Sequence, residues 1–285
     1  MRPLAGFAVL SILLGVASAH AGNFVTLPTD GTLINGNILQ DDDPAYILSS
    51  NFTYKPGFSD TTSWRVGGTG DVVPASFSYS TFAPGNPGVV TGGGTLTLLD
   101  FVKTDNVPLV NGEPQATIYD FVFRDSSDNS LVFGTRYLNR VDNDQEVNFM
   151  FRTGFAGYQT SAAWTFLTDD DLRMYQSGLT SSTSTDQTVP FDPNSVRQRG
   201  DFSLSEENPW SGLFLVKTNA TSYAKDVPNA IGFFQAGEEG QDQVGGFIPG
   251  FAPTAAVPEP GTYAMLLAGL GVVGLLGRRR LNQTA

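Results

Sequence analysis

The stretch "QATIYDFVF" sets the strictest limit on what this chain can fold into. Tyr119, Phe121 and Phe123 share one parity, and alternation at every second residue belongs to an extended strand, whose successive side chains point to opposite faces. The pattern recurs. In "EVNFMFRT" Val147, Phe149 and Phe151 make one face, and in "NSLVFGTRYL" Leu131, Phe133 and Tyr137 make one face while Val132, Arg136 and Leu138 make the other. "TLTLLDFV" breaks the rhythm: Leu96 and Leu98 share one parity, Leu99 and Phe101 the other. A bulge near Leu98-Leu99 would reconcile the two halves.

Turn-forming residues separate these runs, in "VNGEP", "RDSSDNS" and "NRVDNDQE". Further strands are expected at 45–54, 76–82, 162–167, 211–218 and 230–235. No amphipathic helix of crossover length lies between the strands, so the expected class is all-β, an antiparallel β-sandwich or jelly-roll-like body rather than an α/β fold. The one helical candidate is "TDDDLRMYQSG", with Thr168 or Asp169 as cap and acids in the first turn. "SGLTSSTSTDQTVPFDPNS" reads as an exposed loop, and "GQDQVGGFIPGFAPTAAVPEPG" as a flexible spacer.

The two ends carry an address. "MRPLAGFAVLSILLGVASAHAGNF" has a basic residue, an apolar core and small residues at Ala17, Ala19 and Ala21, the layout of a secretory signal peptide cleaved after Ala19 or Ala21. At the other end residues 263–277 hold no charge. As a helix they reach about 22 Å, short of a hydrocarbon core of about 30 Å, a gap that the stems of Arg278, Arg279 and Arg280 help to span. Gly271, Gly274 and Gly277 are costly in a water-exposed helix and ordinary in a membrane. The basic triplet places the last residues on the cytoplasmic side and the body outside. The expected organisation is therefore a signal peptide at 1–21, a β-sandwich body at 22–245, a spacer at 246–257 and a sorting tail at 258–285.

Pro258, Glu259 and Pro260, the apolar segment and the arginine cluster occur together in this order, and the tail resembles the PEP-CTERM sorting signal of Gram-negative, often biofilm-forming bacteria. The resemblance implies that an exosortase recognises Pro258-Glu259-Pro260 and removes the tail from an inner-membrane intermediate facing the periplasm. The processed protein then belongs at the cell surface or in a matrix rich in exopolysaccharide. The resemblance is confined to the tail and says nothing about the chemistry of the body.

Composition narrows that chemistry. The chain has no cysteine, so disulfides, thiol nucleophiles and thiolate metal sites are excluded. Its one histidine, His20, lies at the expected cleavage junction, which removes Ser-His-Asp catalysis and histidine-ligated zinc from a body cut after Ala21. Setting aside Arg2, Arg278, Arg279, Arg280 and Glu259, the body carries a net charge of about −15, a field that repels phosphate backbones and argues against nucleic-acid binding. Carboxylate-based glycoside chemistry, Ser-Lys catalysis and an all-oxygen calcium site stay open. No glutamate pair stands out, and no residue is assigned a catalytic role.

Two sets of candidates follow. Asp142, Asp144 and Glu146 alternate in one turn and offer hard oxygen ligands suited to calcium, against the plainer reading of solvated turn acids. Trp64 and Trp210 have polar neighbours and are candidate sugar contacts, whereas Trp164 shares a parity with Phe166 and reads as core. The glycine runs "GGTGDVV" and "TGGGT" lack the residues of a nucleotide loop. The expected function is a noncatalytic exported surface or matrix protein associated with exopolysaccharide. The alternatives are a carbohydrate-binding module with a defined glycan and a carboxylate-dependent glycoside hydrolase.

Overall fold

Every regular element among the described residues of the computed structural model is a β-strand, and every pairing is antiparallel. The structure describes residues 24–27, 34–35, 48–59, 72–83, 86–108, 114–139, 147–165, 173–176, 191–202, 211–235 and 244–255. In chain order the strands are β1 (Val25–Thr26), β2 (Ile34–Asn35), β3 (Leu48–Ser59), β4 (Val72–Ala83), β5 (Asn86–Pro108), β6 (Pro114–Asp125) and β7 (Leu131–Asn139). There follow β8 (Val147–Thr153), β9 (Thr160–Thr165), β10 (Arg173–Gln176), β11 (Ser195–Phe202), β12 (Leu213–Thr218), β13 (Ser222–Gln235) and β14 (Val244–Thr254).

They form two sheets. One has eight strands in the order β1-β9-β12-β7-β6-β5-β4-β3, and the other has six in the order β14-β13-β8-β11-β10-β2. Strands β3 to β7 run as a meander, after which the chain passes repeatedly between sheets. The central strands of the larger sheet are buried on both faces. On β6, Tyr119, Phe121 and Phe123 enter one core, while Ile118 and Val122 enter the other; on β7, Phe133 and Tyr137 divide from Val132 and Leu138 in the same way.

The core containing Phe133, Met150, Trp164, Val196, Ile231 and Phe251 lies between the two sheets. Every buried strand residue of the second core belongs to the eight-stranded sheet. That arrangement demands curvature. Phe24, next to β1, meets Tyr79 of β4 edge to face at 5.8 Å between ring centroids, although six strand-to-strand steps separate β1 from β4. At about 4.8 Å per step a flat sheet would hold them roughly 29 Å apart. The larger sheet is therefore rolled around its own aromatic filling, and its outer face packs on the smaller sheet.

The expected irregularity in β5 is present. Leu98 pairs with Phe123 and Asp100 with Val122, so Leu99 is the extra residue of a bulge and its side chain is turned outward, 41% exposed. The strands anticipated at 45–54, 76–82, 162–167, 211–218 and 230–235 appear, with shifted ends, as β3, β4, β9, β12 and β13.

Two expectations need correction. Residues 173–176, assigned above to a short helix, form β10, paired with both β11 and β2. A helix of two turns is marginal alone, and a place between two strands satisfies the same backbone groups. Residues 246–254, read as the start of a flexible spacer, belong to β14, where Phe251 and Ala252 are buried. The glycines and prolines that suggested coil are compatible with this strand because β14 is an edge of its sheet, where a missing proline N–H removes no ladder bond.

Candidate functional sites

The first polar cluster is built on the hairpin between β6 and β7. Asp125 ends β6, and its Oδ1 accepts the backbone N–H of Ser127 at 2.8 Å, an Asx turn. Asn129 then adopts a left-handed conformation, φ 61°, and donates its backbone N–H to the Asp125 carbonyl at 2.8 Å. The turn so formed holds the Asp125 carboxylate against the rolled sheet.

There Lys217 of β12 places Nζ 2.7 Å from Asp125 Oδ2 and 2.9 Å from Asp128 Oδ2. Tyr79 of β4 donates its hydroxyl to the same Asp125 Oδ2 at 2.6 Å. The ring of Phe24 lies 5.2 Å from Nζ on another side. Asp125 is closed to solvent, the Lys217 side chain is 9% exposed and that of Asp128 is 52% exposed. Gly94 of β5 makes room: a Cβ there would stand 2.7 Å from Asp125 Oδ1. Burial, reinforced by the bond to Asp125, pushes the Tyr79 hydroxyl well above the usual tyrosine range, so it remains a proton donor. Partial burial works against the charged Asp128 carboxylate, but hydrogen bonds from Lys217 and Ser130 outweigh it and lower its pKa.

This geometry bears on the Ser-Lys chemistry that the sequence left open. Ser127 Oγ lies 3.4 Å from Lys217 Nζ and 3.4 Å from the Tyr79 hydroxyl, farther than either carboxylate. The amine is directed at Asp125 and Asp128 rather than held ready to deprotonate a serine.

The second cluster crosses the gap between the sheets. Arg152 of β8 donates through Nη1 to Asp120 Oδ1 at 2.6 Å, to the Gly134 carbonyl at 3.0 Å and to Thr135 Oγ1 at 2.8 Å, and through Nη2 to the Phe251 carbonyl at 2.8 Å. Asp120 Oδ2 accepts the backbone N–H of Phe251 at 2.7 Å. Burial raises the Asp120 pKa, although Arg152 and the backbone bonds pull it down. The pair ties β6, β8 and β14 together and is sealed from solvent, so it is a structural clasp.

Neither cluster was singled out from the sequence. The available signal was a lone charge inside an apolar run: Asp120 in "IYDFVF", Arg152 in "FMFRT" and Lys217 in "LFLVKT". The residues that were singled out, Trp64, Trp210, Asp142, Asp144, Glu146, Pro258, Glu259, Pro260, Arg278, Arg279 and Arg280, lie outside the described residues, as do the expected signal peptide and apolar tail segment. Trp164 is fully buried between the sheets, as expected of a core residue. Among the described residues no group of three or more His, Cys, Asp or Glu is placed to hold a metal ion.

The described residues are all-β, and the chain carries a C-terminal sorting signal. The family model described as the PEP-CTERM protein-sorting motif matches residues 256–280, and no other family is recognised. The motif implies export through the membrane to the cell surface, with exosortase as the processing partner. No curated protein and no solved structure matches the chain.

Proposed function

We propose that the body is a noncatalytic component of an extracellular matrix or adhesive surface, with exopolysaccharide as its partner. The observation that carries this reading is the sorting motif at 256–280, whose destination is the cell surface. The position of the folded body supports it. Buried Phe24 follows closely on the expected signal-peptide cleavage sites, and β14 ends at Thr254, just before Pro258. Removal of both end segments leaves every described strand intact. The acidic, cysteine-free and histidine-poor composition fits a hydrated matrix protein better than an extracellular hydrolase.

The test is incubation of the processed protein, collected from the surface of producing cells, with purified matrix polysaccharide. Binding and newly formed reducing ends are measured together, with and without calcium. Saturable retention without cleavage is expected. Cleavage that disappears on carboxylate substitution would move the protein to the glycoside hydrolases, and loss of retention on calcium removal would implicate Asp142, Asp144 and Glu146. Absence of both binding and cleavage would leave protein-protein adhesion as the better account.

A further inference from the structure

We propose that Lys217 and Asp125 become joined by an intramolecular isopeptide bond in the folded protein. The two side chains come from β12 and β6, with β7 between them, and are separated by 92 positions in sequence. Folding therefore brings together an amine and a carboxyl group that are distant in the chain.

Each requirement of the condensation has a residue in place. Nζ touches Asp125 Oδ2 at 2.7 Å, so nucleophile and acyl group are in contact. Asp125 Oδ1, the oxygen that becomes the amide carbonyl, already accepts the Ser127 backbone N–H at 2.8 Å, a donor placed to stabilise negative charge as the tetrahedral intermediate forms. The leaving oxygen, Oδ2, is polarised by the Tyr79 hydroxyl at 2.6 Å. Asp128 Oδ2, 2.9 Å from Nζ, is placed to take up and return a proton. The buried Phe24 and Tyr79 rings shield the pair, while half-exposed Asp128 opens a way out for water.

The step balances. The ammonium gives one proton to Oδ2, and the neutral amine attacks Cγ of Asp125. Asp128 accepts a second amine proton and returns it to Oδ2. The Cγ–Oδ2 bond breaks as the Cγ–Nζ bond forms, and Oδ2 departs as one water; nothing is oxidised or reduced. The driving force is visible in the burial. An ammonium and a carboxylate held away from solvent carry a large desolvation penalty, and a neutral amide that keeps its bond from the Ser127 N–H does not. The Arg152–Asp120 pair does not follow this course, because the delocalised guanidinium lends its nitrogen lone pairs to the planar group and is a poor nucleophile. In a chain without cysteine, such a bond supplies the covalent closure that disulfides give other exported proteins.

The experiment is a tryptic digest of the folded full-length chain, denatured before digestion and read by tandem mass spectrometry. A branched peptide is expected, joining the segment with Asp125 to the segment with Lys217 and lighter by one water than the two together, with no cleavage after Lys217. Lys217→Arg keeps the charge and abolishes the branch. Asp128→Asn, verified as folded by circular dichroism, slows its appearance about a hundredfold; an unchanged rate would remove Asp128 from the mechanism. Recovery of the two linear peptides in full from folded wild-type protein overturns the proposal. So does a water loss confined to the Asp125-Ser126 peptide, which marks cyclisation of the aspartate onto its own backbone.

Discussion

Arg152 and Asp120 meet at 2.6 Å across the interface between two sheets whose strands β8 and β6 share no backbone pairing. Removing one member leaves the other charge buried, a loss that typically costs about 3–5 kcal/mol. Arg152→Leu is therefore expected to lower unfolding stability by about that amount, read from guanidinium denaturation. The double variant Arg152→Met, Asp120→Leu should recover much of it, because no unpaired charge is left behind. A single-variant loss too small to separate from wild type would show that the clasp contributes little.

Gly250 permits that clasp. A Cβ at this position would stand 2.5 Å from Asp120 Oδ2 and 3.2 Å from Ile231, forcing β14 away from the carboxylate that accepts the Phe251 N–H. Gly250→Ala should cost about 1–3 kcal/mol. Its cost should shrink when Asp120 is already truncated to alanine, since the two changes act on one contact. Additive losses in the double-mutant cycle would place the strain elsewhere.

Trp164 and Trp210 should behave oppositely. Trp164 fills the inter-sheet core, so Trp164→Ala is expected to destabilise by about 3–5 kcal/mol, and Trp164→Phe by less. Trp210→Ala, if the sugar-contact reading holds, should weaken retention on matrix polysaccharide and leave the denaturation midpoint in place. A midpoint shift at Trp210 as large as that at Trp164 would make it a core residue instead.

Stability should decline in alkali. Burial raises the Tyr137 hydroxyl well above its ordinary value of 10.0, so above that value the unfolded chain loses a proton that the folded chain keeps. The unfolded state then binds fewer protons, and unfolding becomes easier by up to roughly 1.4 kcal/mol per pH unit until the folded value is reached. Below pH 10.0 the contribution is fully present. Tyr137→Phe should flatten this alkaline slope, measured by denaturation at a series of pH values; an unaltered slope would assign it to other groups.

Processing should be sensitive to spacing at the C-terminal end. Only residues 255–257 separate the end of β14 from Pro258, a reach of roughly 10 Å when fully extended. A cut near Pro258 would bring the exosortase close to the folded body, so a short Gly/Ser insertion after Ala255 should speed tail removal, followed as loss of Arg278, Arg279 and Arg280 by intact mass. Replacing Pro258, Glu259 and Pro260 together by alanine should leave the tail attached. A surface population of wild-type protein that still carries all three arginines would contradict processing.

What could be read from the chain alone was local. Alternation at Tyr119, Phe121 and Phe123 identifies a strand, because side-chain direction in extended backbone depends only on neighbouring residues. The parity change at Leu98 and Leu99 marks a bulge for the same reason, and Pro258 through Arg280 carry a signal that is itself linear. Tertiary structure decided what each face meets. Asp120 alternates with Tyr119 and would suit a solvent-facing side of β6, yet a second sheet covers that side and Arg152 arrives from 32 residues away. The same holds for Lys217, which finds Asp125 only because β7 brings β12 and β6 to its two sides, and for 246–254, whose glycines and prolines become a strand only where β13 and Asp120 accept them. Periodicity tells which residues share a face; which partner covers that face depends on contacts between distant segments, and these exist only once the chain has folded.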